Sequence, residues 1–447
     1  MITNYIKLAW RVLSRNKFFT FITLFGISFT LGILMVIFSF LQSELGTDQP
    51  LTHKNKMVFL DHLTLRQVMR DTIYKIDTTF NNSEMLLDSN MEVKSRGSMT
   101  WNSSMNNGIA EDFLSNLPSA ENTTVMNSNS LNDVYVNGVK ITIASLYGDA
   151  NYWDILDHQM IEGRSYDQAE FESAAKVICI SDKIAKSYFG TDKDVVGREI
   201  LIDGKNLKVV GMYRYQGKFV PFVSPDAVIP YTILDVTNQD SYYHGFYSVL
   251  FKLKNGANAD NLKEEISEAN TLIPLDHPSK PPGYNEIVFD PVTYNELFAN
   301  AIYADNDDKS KGLTIMTWVL ITLLLFFILL PTLNLINLNV SRIMERSSEI
   351  GVRKAFGAHQ GNILSQFIIE NIIQTLLGGI LGLGLALLLI NVVNKGGHLG
   401  DVVLTLSPKF FLYSFLATLL FGVLSGLLPA YRMSKLQIVN ALKENTI

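Results

Sequence analysis

Cysteine is almost missing from this chain: Cys179 is the only one in 447 residues, which excludes an intrachain disulfide and a metal site built on several thiolates. It leaves the redox compartment open. The seven histidines, His53, His62, His158, His244, His277, His359 and His398, form no H-x-x-x-H or H-E-x-x-H pair, so no metal centre is expected. A G-x-S-x-G elbow is also missing, and so is a G-x-x-x-x-G-K-[ST] stretch that would cradle phosphates. Charged residues make up only 18% of the chain and nearly vanish from its long apolar runs, which argues against an ion relay through a membrane.

What is present is long apolar sequence. Phe18 to Leu41 is an uncharged run of 24 residues, enough for a hydrocarbon layer of about 30 Å. It has neither the short core nor the small-residue cleavage site of a signal peptide, so it reads as a retained anchor. Three further runs give an expected order: spans at 18–44, 313–340, 367–393 and 409–431, a large domain at 45–312 and a short external loop at 394–408. Basic residues orient it. Residues 1–17, 341–366 and 432–447 carry +4, +2 and +2, so a chain of net charge −6 holds −14 elsewhere. The basic segments then lie inside, with both termini cytoplasmic, and topology accounts for the basic residues without nucleic acid.

Residues 1–17 place Ile2, Ile6, Ala9, Trp10 and Leu13 on one face of a helix and Lys7, Arg11 and Arg15 on the other. Such a helix can lie against membrane lipid or simply begin the first span. In the second span Pro331, Asn334 and Asn337 interrupt the inner half. In the third, Glu370 is expected at the cytosolic interface, pairing with a loop arginine, and Gly378 with Gly382 permits close helix packing. Gly422 and Gly426 repeat that spacing after Ser407-Pro408 opens the fourth span.

Between the first two spans the signals are mixed α and β. Asn137-Gly138 and Asp203-Gly204 each sit between alternating runs and predict tight hairpins. Ser181 is placed to cap a helix that ends at Phe189 before Gly190, and Asn258 to Asn270 is a second helix after the strand-like FYSVLFKLK. Cys179, inside VICIS, reads as a buried strand residue. The Ser- and Asn-rich tract from Asn81 to Ser130 matches no pattern.

The segment from Ser341 to Ile369 carries Arg342, Glu345, Arg346, Glu349, Arg353 and Lys354 within 13 residues, and the charge stops at Gly357. A short helix over 347–356 would let Glu349 and Arg353 pair at i, i+4. On physics alone a solvated cytosolic turn is an equal reading. However, ERSSEIGVRKAFGAHQGNILSQFIIEN resembles the loop after the second span of MacB/FtsX-type ABC transporter permeases. LYGDANYWDILDHQMIEGRSY and the stretch from Lys176 to Tyr213 resemble the MacB-type periplasmic core.

That resemblance implies an α-helical membrane protein with four transmembrane helices and a large α+β extracytoplasmic domain, a porter-like part plus a lobe inserted within residues 130–225. It implies a bacterial inner-membrane permease that transmits ATP-driven motion without hydrolysing ATP itself. Its coupling residues would be Glu345, Arg346, Glu349, Gly351, Arg353, Lys354, Gly357 and Ala358. The implied partners are a separate ABC-type ATPase carrying ATP-Mg, a second permease copy or paralogue, and a periplasmic adaptor with an outer-membrane channel. This chain would hold no cofactor. Two other readings stay open, an FtsX-like regulator of a periplasmic hydrolase and a membrane receptor without an ATPase.

Overall fold

The computed structural model describes residues 14–15, 17–81, 84–234, 242–278, 280–303, 309–345, 351–352, 356–357, 359–396, 402–409, 411–416, 418–420 and 423. The expected helix over 1–17 and the tail at 432–447 therefore lie wholly or almost wholly outside them. Two compact units form, a sheet unit of Thr47–Leu313 and a helical unit of Met1–Gly46 with Thr314–Ile447.

In the sheet unit, turn chemistry sets the register. Asn137 and Gly138 have φ of 51° and 78°, and Asp203 and Gly204 have 50° and 72°. Two successive left-handed residues suit Asn-Gly and Asp-Gly, and they close both hairpins read from the sequence. β4 (Ala120–Val136) thus returns as β5 (Val139–Gly148), and β8 (Glu199–Ile202) as β9 (Lys205–Tyr213). Ser181 accepts a hydrogen bond from Ile184 N and caps α2 (Asp182–Phe189), which Gly190 ends at φ 72°. Asn258 does the same for α3 (Ala259–Asn270).

The main sheet has ten strands. With β1 (Met57–Leu60), β6 (Met160–Gly163), β7 (Val177–Ser181), β10 (Ala227–Pro230), β11 (Ser248–Leu253) and β13 (Val292–Thr293), its order is β13-β1-β11-β4-β5-β10-β7-β9-β6, with β8 on β9. Strands from the two ends of the unit make one half, and the segment from Val139 to Pro230 makes the other. The halves meet where β4 pairs with β5, and one core runs through both, including Val125, Ile143, Ile180, Val209 and Phe251. Cys179 is fully buried in β7, where loss of solvent pushes its thiol up to about 12.

The tract that sequence patterns left unplaced is mostly strand, broken by helical turns over Asn107–Ile109 and Ala110–Leu114. β2 (His62–Asn81) and β3 (Glu84–Ser104) pair antiparallel through twenty positions, roughly 65 Å at about 3.4 Å per residue. β12 (Glu286–Phe289) joins them only along Leu63–Arg66, making a three-stranded sheet. Polar Ser and Asn in strands carry little β signal, because strand preference reflects packing of apolar or branched side chains.

An acid at the meeting of the two sheet halves fixes their junction. Asp149, just after β5, accepts from Thr124 Oγ1 at 2.6 Å and Tyr152 N at 3.2 Å on one oxygen, and from Val125 N at 2.9 Å on the other. Burial outweighs these donors and raises its carboxyl to about 6. Beside it, Tyr152 Oη donates to Phe222 O at 3.0 Å and meets His158 Nε2 at 2.9 Å, which makes that nitrogen the imidazole's donor. Burial lowers His158 to about 3.

The two groups oppose each other in acid. His158, lowered from 6.5, contributes stability above that pH and loses it as pH falls towards 3; Asp149, raised from 3.8, is relieved as pH falls through about 6. Between pH 7 and pH 4.5 the loss is about 2.7 kcal/mol and the relief about 2 kcal/mol at 1.36 kcal/mol per unit. Asp149→Asn removes the relief, so its sheet unit should lose about 2 kcal/mol more than wild type over that interval. Urea unfolding at the two pH values measures it; equal losses would show that Asp149 does not titrate there.

Candidate functional site

The helical unit is built on α1 (Lys17–Leu45) and α6 (Gln360–Gly396), which pack through glycine. A Cβ on Gly378 would stand 2.6 Å from Ile27 Cγ2, and one on Gly382 would stand 2.9 Å from Leu31 Cβ and 3.1 Å from Ser28 O. Ile27 to Gly378 and Leu31 to Gly382 step together, so the two helices run in the same direction with one register. The sequence pairing of Gly378 with Gly382 is thus a contact face. It missed Gly32, where a Cβ would meet Leu385 Cδ2 at 2.9 Å, and Gly379, where it would meet Phe415 at 2.8 Å. Close backbone approach replaces hydrophobic driving force where the surroundings are themselves apolar.

The opposite face of α1 presents Phe18, Phe21, Phe25 and Phe29, each exposed and the last three stacked in sequence. At the far end, residues 402–406 lie against both helices. Ser39 donates to Thr405 O at 2.6 Å, while Asn394 donates to Leu404 O and accepts from Leu404 N, each at 2.9 Å. Val402 and Leu404 bury against Ile390.

Near the start of α6, which begins at Gln360, Glu370 is buried, 2% exposed, and accepts from Gln366 Nε2 at 3.0 Å inside the same helix. Arg346 and Arg353, among the loop arginines with which it was expected to pair, lie outside the described residues. Gln374, like Glu370, is buried.

α5 (Lys309–Glu345) is one helix that continues through Pro331, where the sequence suggested an interruption. Glu345 is its last residue. Gly351 and Val352 are helical, Phe356 N donates to Val352 O at 3.1 Å, and Gly357 turns left-handed at φ 89°. That is the stop a short helix before Gly357 requires, and nothing lies within 4 Å of a Cβ there, so backbone conformation is what the glycine supplies. Phe356 is 89% exposed. Arg346, Glu349, Arg353, Lys354 and Ala358 lie outside the described residues, as do Gly422 and Gly426. Among the described residues no group of three or more His, Cys, Asp or Glu could hold a metal.

Among the described residues two helices, Lys17–Leu45 and Leu364–Gly396, are long and apolar enough to cross a membrane; the apolar helical stretches Lys311–Phe327 and Phe411–Leu420 are shorter. With a mixed α and β unit between the first and second long helices of the sequence, they fit one class, a membrane protein bearing a large α+β domain. Residues 20–269 match the MacB-like periplasmic core domain, and residues 321–438 match the FtsX-like permease C-terminal domain. The chain belongs to the MacB/FtsX-type ABC transporter permease family.

Its relatives include the macrolide export ATP-binding/permease protein MacB of Vibrio parahaemolyticus, 26% identical over 74% of this chain and 47% of that one. The uncharacterized ABC transporter permease YknZ of Bacillus subtilis is 24% identical over 70% of both chains. The pyoverdine export ATP-binding/permease protein PvdT of Pseudomonas syringae is 26% identical over 66% of this chain and 42% of that one. The chain thus spans about half the length of the MacB and PvdT relatives it matches. Among solved structures, the periplasmic region of MacB from Actinobacillus actinomycetemcomitans aligns with a TM-score of 0.35 at 13% identity, covering 56% of this chain and 94% of that one. The extracellular domain of YknZ aligns with a TM-score of 0.31 at 18% identity, covering 41% and 86%.

Proposed function

We propose that this chain is the permease subunit of an inner-membrane ABC system, carrying ATP-driven motion from a cytosolic ATPase to its sheet unit. The observation that carries this reading is the joint match, a MacB-like periplasmic core over residues 20–269 followed by an FtsX-like permease region over 321–438. ATP-Mg binds and reacts on a separate ATPase subunit, and this chain is not the enzyme. Four spans with both termini inside deliver the 341–366 segment to that ATPase.

The charged segment that stops at Gly357 is the contact, and its residues are Glu345, Arg346, Glu349, Gly351, Arg353, Lys354, Gly357 and Ala358. Closure of the ATPase moves this segment; the long helix that ends at Glu345 and the α1–α6 pair carry the movement outward. A rigid glycine-packed bundle suits that work, because it shifts as a body between discrete arrangements instead of bending. Two copies, or one copy with a paralogue, act on an exported lipoprotein, peptide or drug-like molecule, with an adaptor and outer-membrane channel beyond. Export is the role that the names of MacB and PvdT give those relatives.

Co-purification tests the contact. Tagged wild-type chain should retain an ABC-type ATPase from its own cells, and Glu349→Lys should retain at least tenfold less, with equal membrane insertion. Equal retention by both chains, or no ATPase with either, removes the coupling segment from this role.

A further inference from the structure

The contact stripe of α6 changes character along its length. Gln366, Glu370, Gln374, Gly378, Gly382 and Ala386 recur at every fourth residue, and all six are buried. The first half of that stripe is polar and the second half small. On α1 the facing row is Thr23, Ile27, Leu31 and Met35, with the same spacing and also buried. Ile27 meets Gly378 and Leu31 meets Gly382, so one register puts Thr23 opposite Gln374, a turn nearer the start of both helices.

At that position the bundle is packed but not bonded. Gln374 is 1% exposed, and neither its Nε2 nor its Oε1 has a hydrogen-bond partner; Thr23 is 2% exposed, and its Oγ1 has none. Neighbouring polar groups are bonded: Thr375 donates to Asn371 O at 2.9 Å, and Gln366 donates to Glu370. Buried polar groups nearly always find partners, and each one left without favours an arrangement that supplies one by about tenfold or more. What opposes the shift is the glycine half, where Gly382 lies so close to Ser28 O that a Cβ would stand 3.1 Å from it. Gln366 and Glu370 continue the polar row towards Gln360, a path along which water reaches Gln374 once α1 swings away.

We infer that α1 and α6 form a two-position hinge. In the closed position, the one seen here, both halves of the stripe are in contact and the Gln374 amide and Thr23 hydroxyl stay unbonded. In the open position the glycine half remains the pivot, the helices part at Thr23 and Gln374, and water bonds both. Each helix stays rigid and only their contact changes, which keeps two discrete arrangements close in free energy. The exchange needs no nucleotide. Its bias by an ATPase rests on the coupling reading above, in which the 341–366 segment enters α6 at this same end.

The test uses the full chain in lipid nanodiscs with Cys179→Ser and one new thiol, Thr23→Cys. The probe is trimethylammonium-ethyl methanethiosulfonate, a charged reagent that modifies thiols water reaches. Labelling is expected at least tenfold faster than at Leu31→Cys, on the glycine half. Adding Gln374→Met, which keeps the side-chain length and removes the amide, should slow labelling at position 23 at least fivefold. In the chain with native Thr23, Gln374→Met should raise the thermal midpoint by about 3 °C. A glutamine that merely ties the helices together predicts the reverse, a lower midpoint and faster labelling, and that result overturns the hinge. Equal rates at 23 and 31, or a rate at 23 unmoved by Gln374→Met, overturn it as well. In native membranes Mg-ATP should speed labelling of the Thr23→Cys chain several-fold. No effect of nucleotide, with the nanodisc results as expected, counts against the ATPase reading and leaves the hinge standing.

Discussion

Gly211→Val should strongly destabilise the sheet unit. Gly211 pairs with Gly163 between β9 and β6, and a Cβ placed on it would stand 2.1 Å from Arg164 O, a backbone atom with no rotamer by which to move away. From the other strand, a Cβ on Gly163 would stand 2.2 Å from Val210 O. Arg164 N donates to Val210 O at 3.1 Å in the same place, so separating the chains also breaks the ladder at the edge of the sheet. The expected cost is about 4 kcal/mol, at the severe end for one substitution. For a unit of this size that lowers the thermal midpoint by about 10 °C. Gly190→Ala is the matched control: its φ is 72°, yet nothing lies within 4 Å, so strain alone should cost about 1 kcal/mol. A midpoint for Gly211→Val no lower than that of Gly190→Ala would mean the two strands are not in this contact.

The second large effect is in the helical unit. Gly382→Ile puts a branched side chain where a Cβ alone meets Leu31 Cβ at 2.9 Å and the α1 backbone at Ser28 O. Either helix must move by more than an ångström, which uncouples Ile27 from Gly378 one turn away. We expect the full-length chain to lose about 10 °C of thermal midpoint in detergent and to elute as mixed species by gel filtration. Gly384→Ile, only two residues on, should be nearly silent, because its Cβ would meet nothing within 4 Å. Equal behaviour of the two variants would show that α1 and α6 do not meet along this face. If the bundle transmits motion as proposed, Gly382→Ile should also reduce the stimulation of ATP hydrolysis by the permease.

Local signals carried far in this chain wherever a short sequence has its own structural consequence. Asn137-Gly138 and Asp203-Gly204 became turns because two left-handed residues in a row leave few alternatives. Ser181 and Gly190 bound α2 at the two places where a helix leaves backbone groups unsatisfied. The β2–β3 hairpin was illegible for the converse reason: its Ser- and Asn-rich outer strand has no apolar alternation, and its register is held by pairing across twenty positions. The start of α6 was drawn late, because a span boundary read from hydropathy ignores the polar first turns of a helix that starts seven residues earlier. Gly32 and Gly379 drew no notice, since the residues they approach, Leu385 and Phe415, are distant in the chain and no spacing motif links them.

The sequence by itself determined the apolar runs, the asymmetry of charge, the hairpin turns, the helix caps and the family resemblance, all properties of neighbouring residues or of composition. Tertiary structure alone decided which glycines touch which helix, how the two halves of the sheet come together at Asp149, and which polar groups end up buried. Those outcomes depend on the excluded volume and desolvation of residues far apart in the chain, and no window of adjacent residues contains that information.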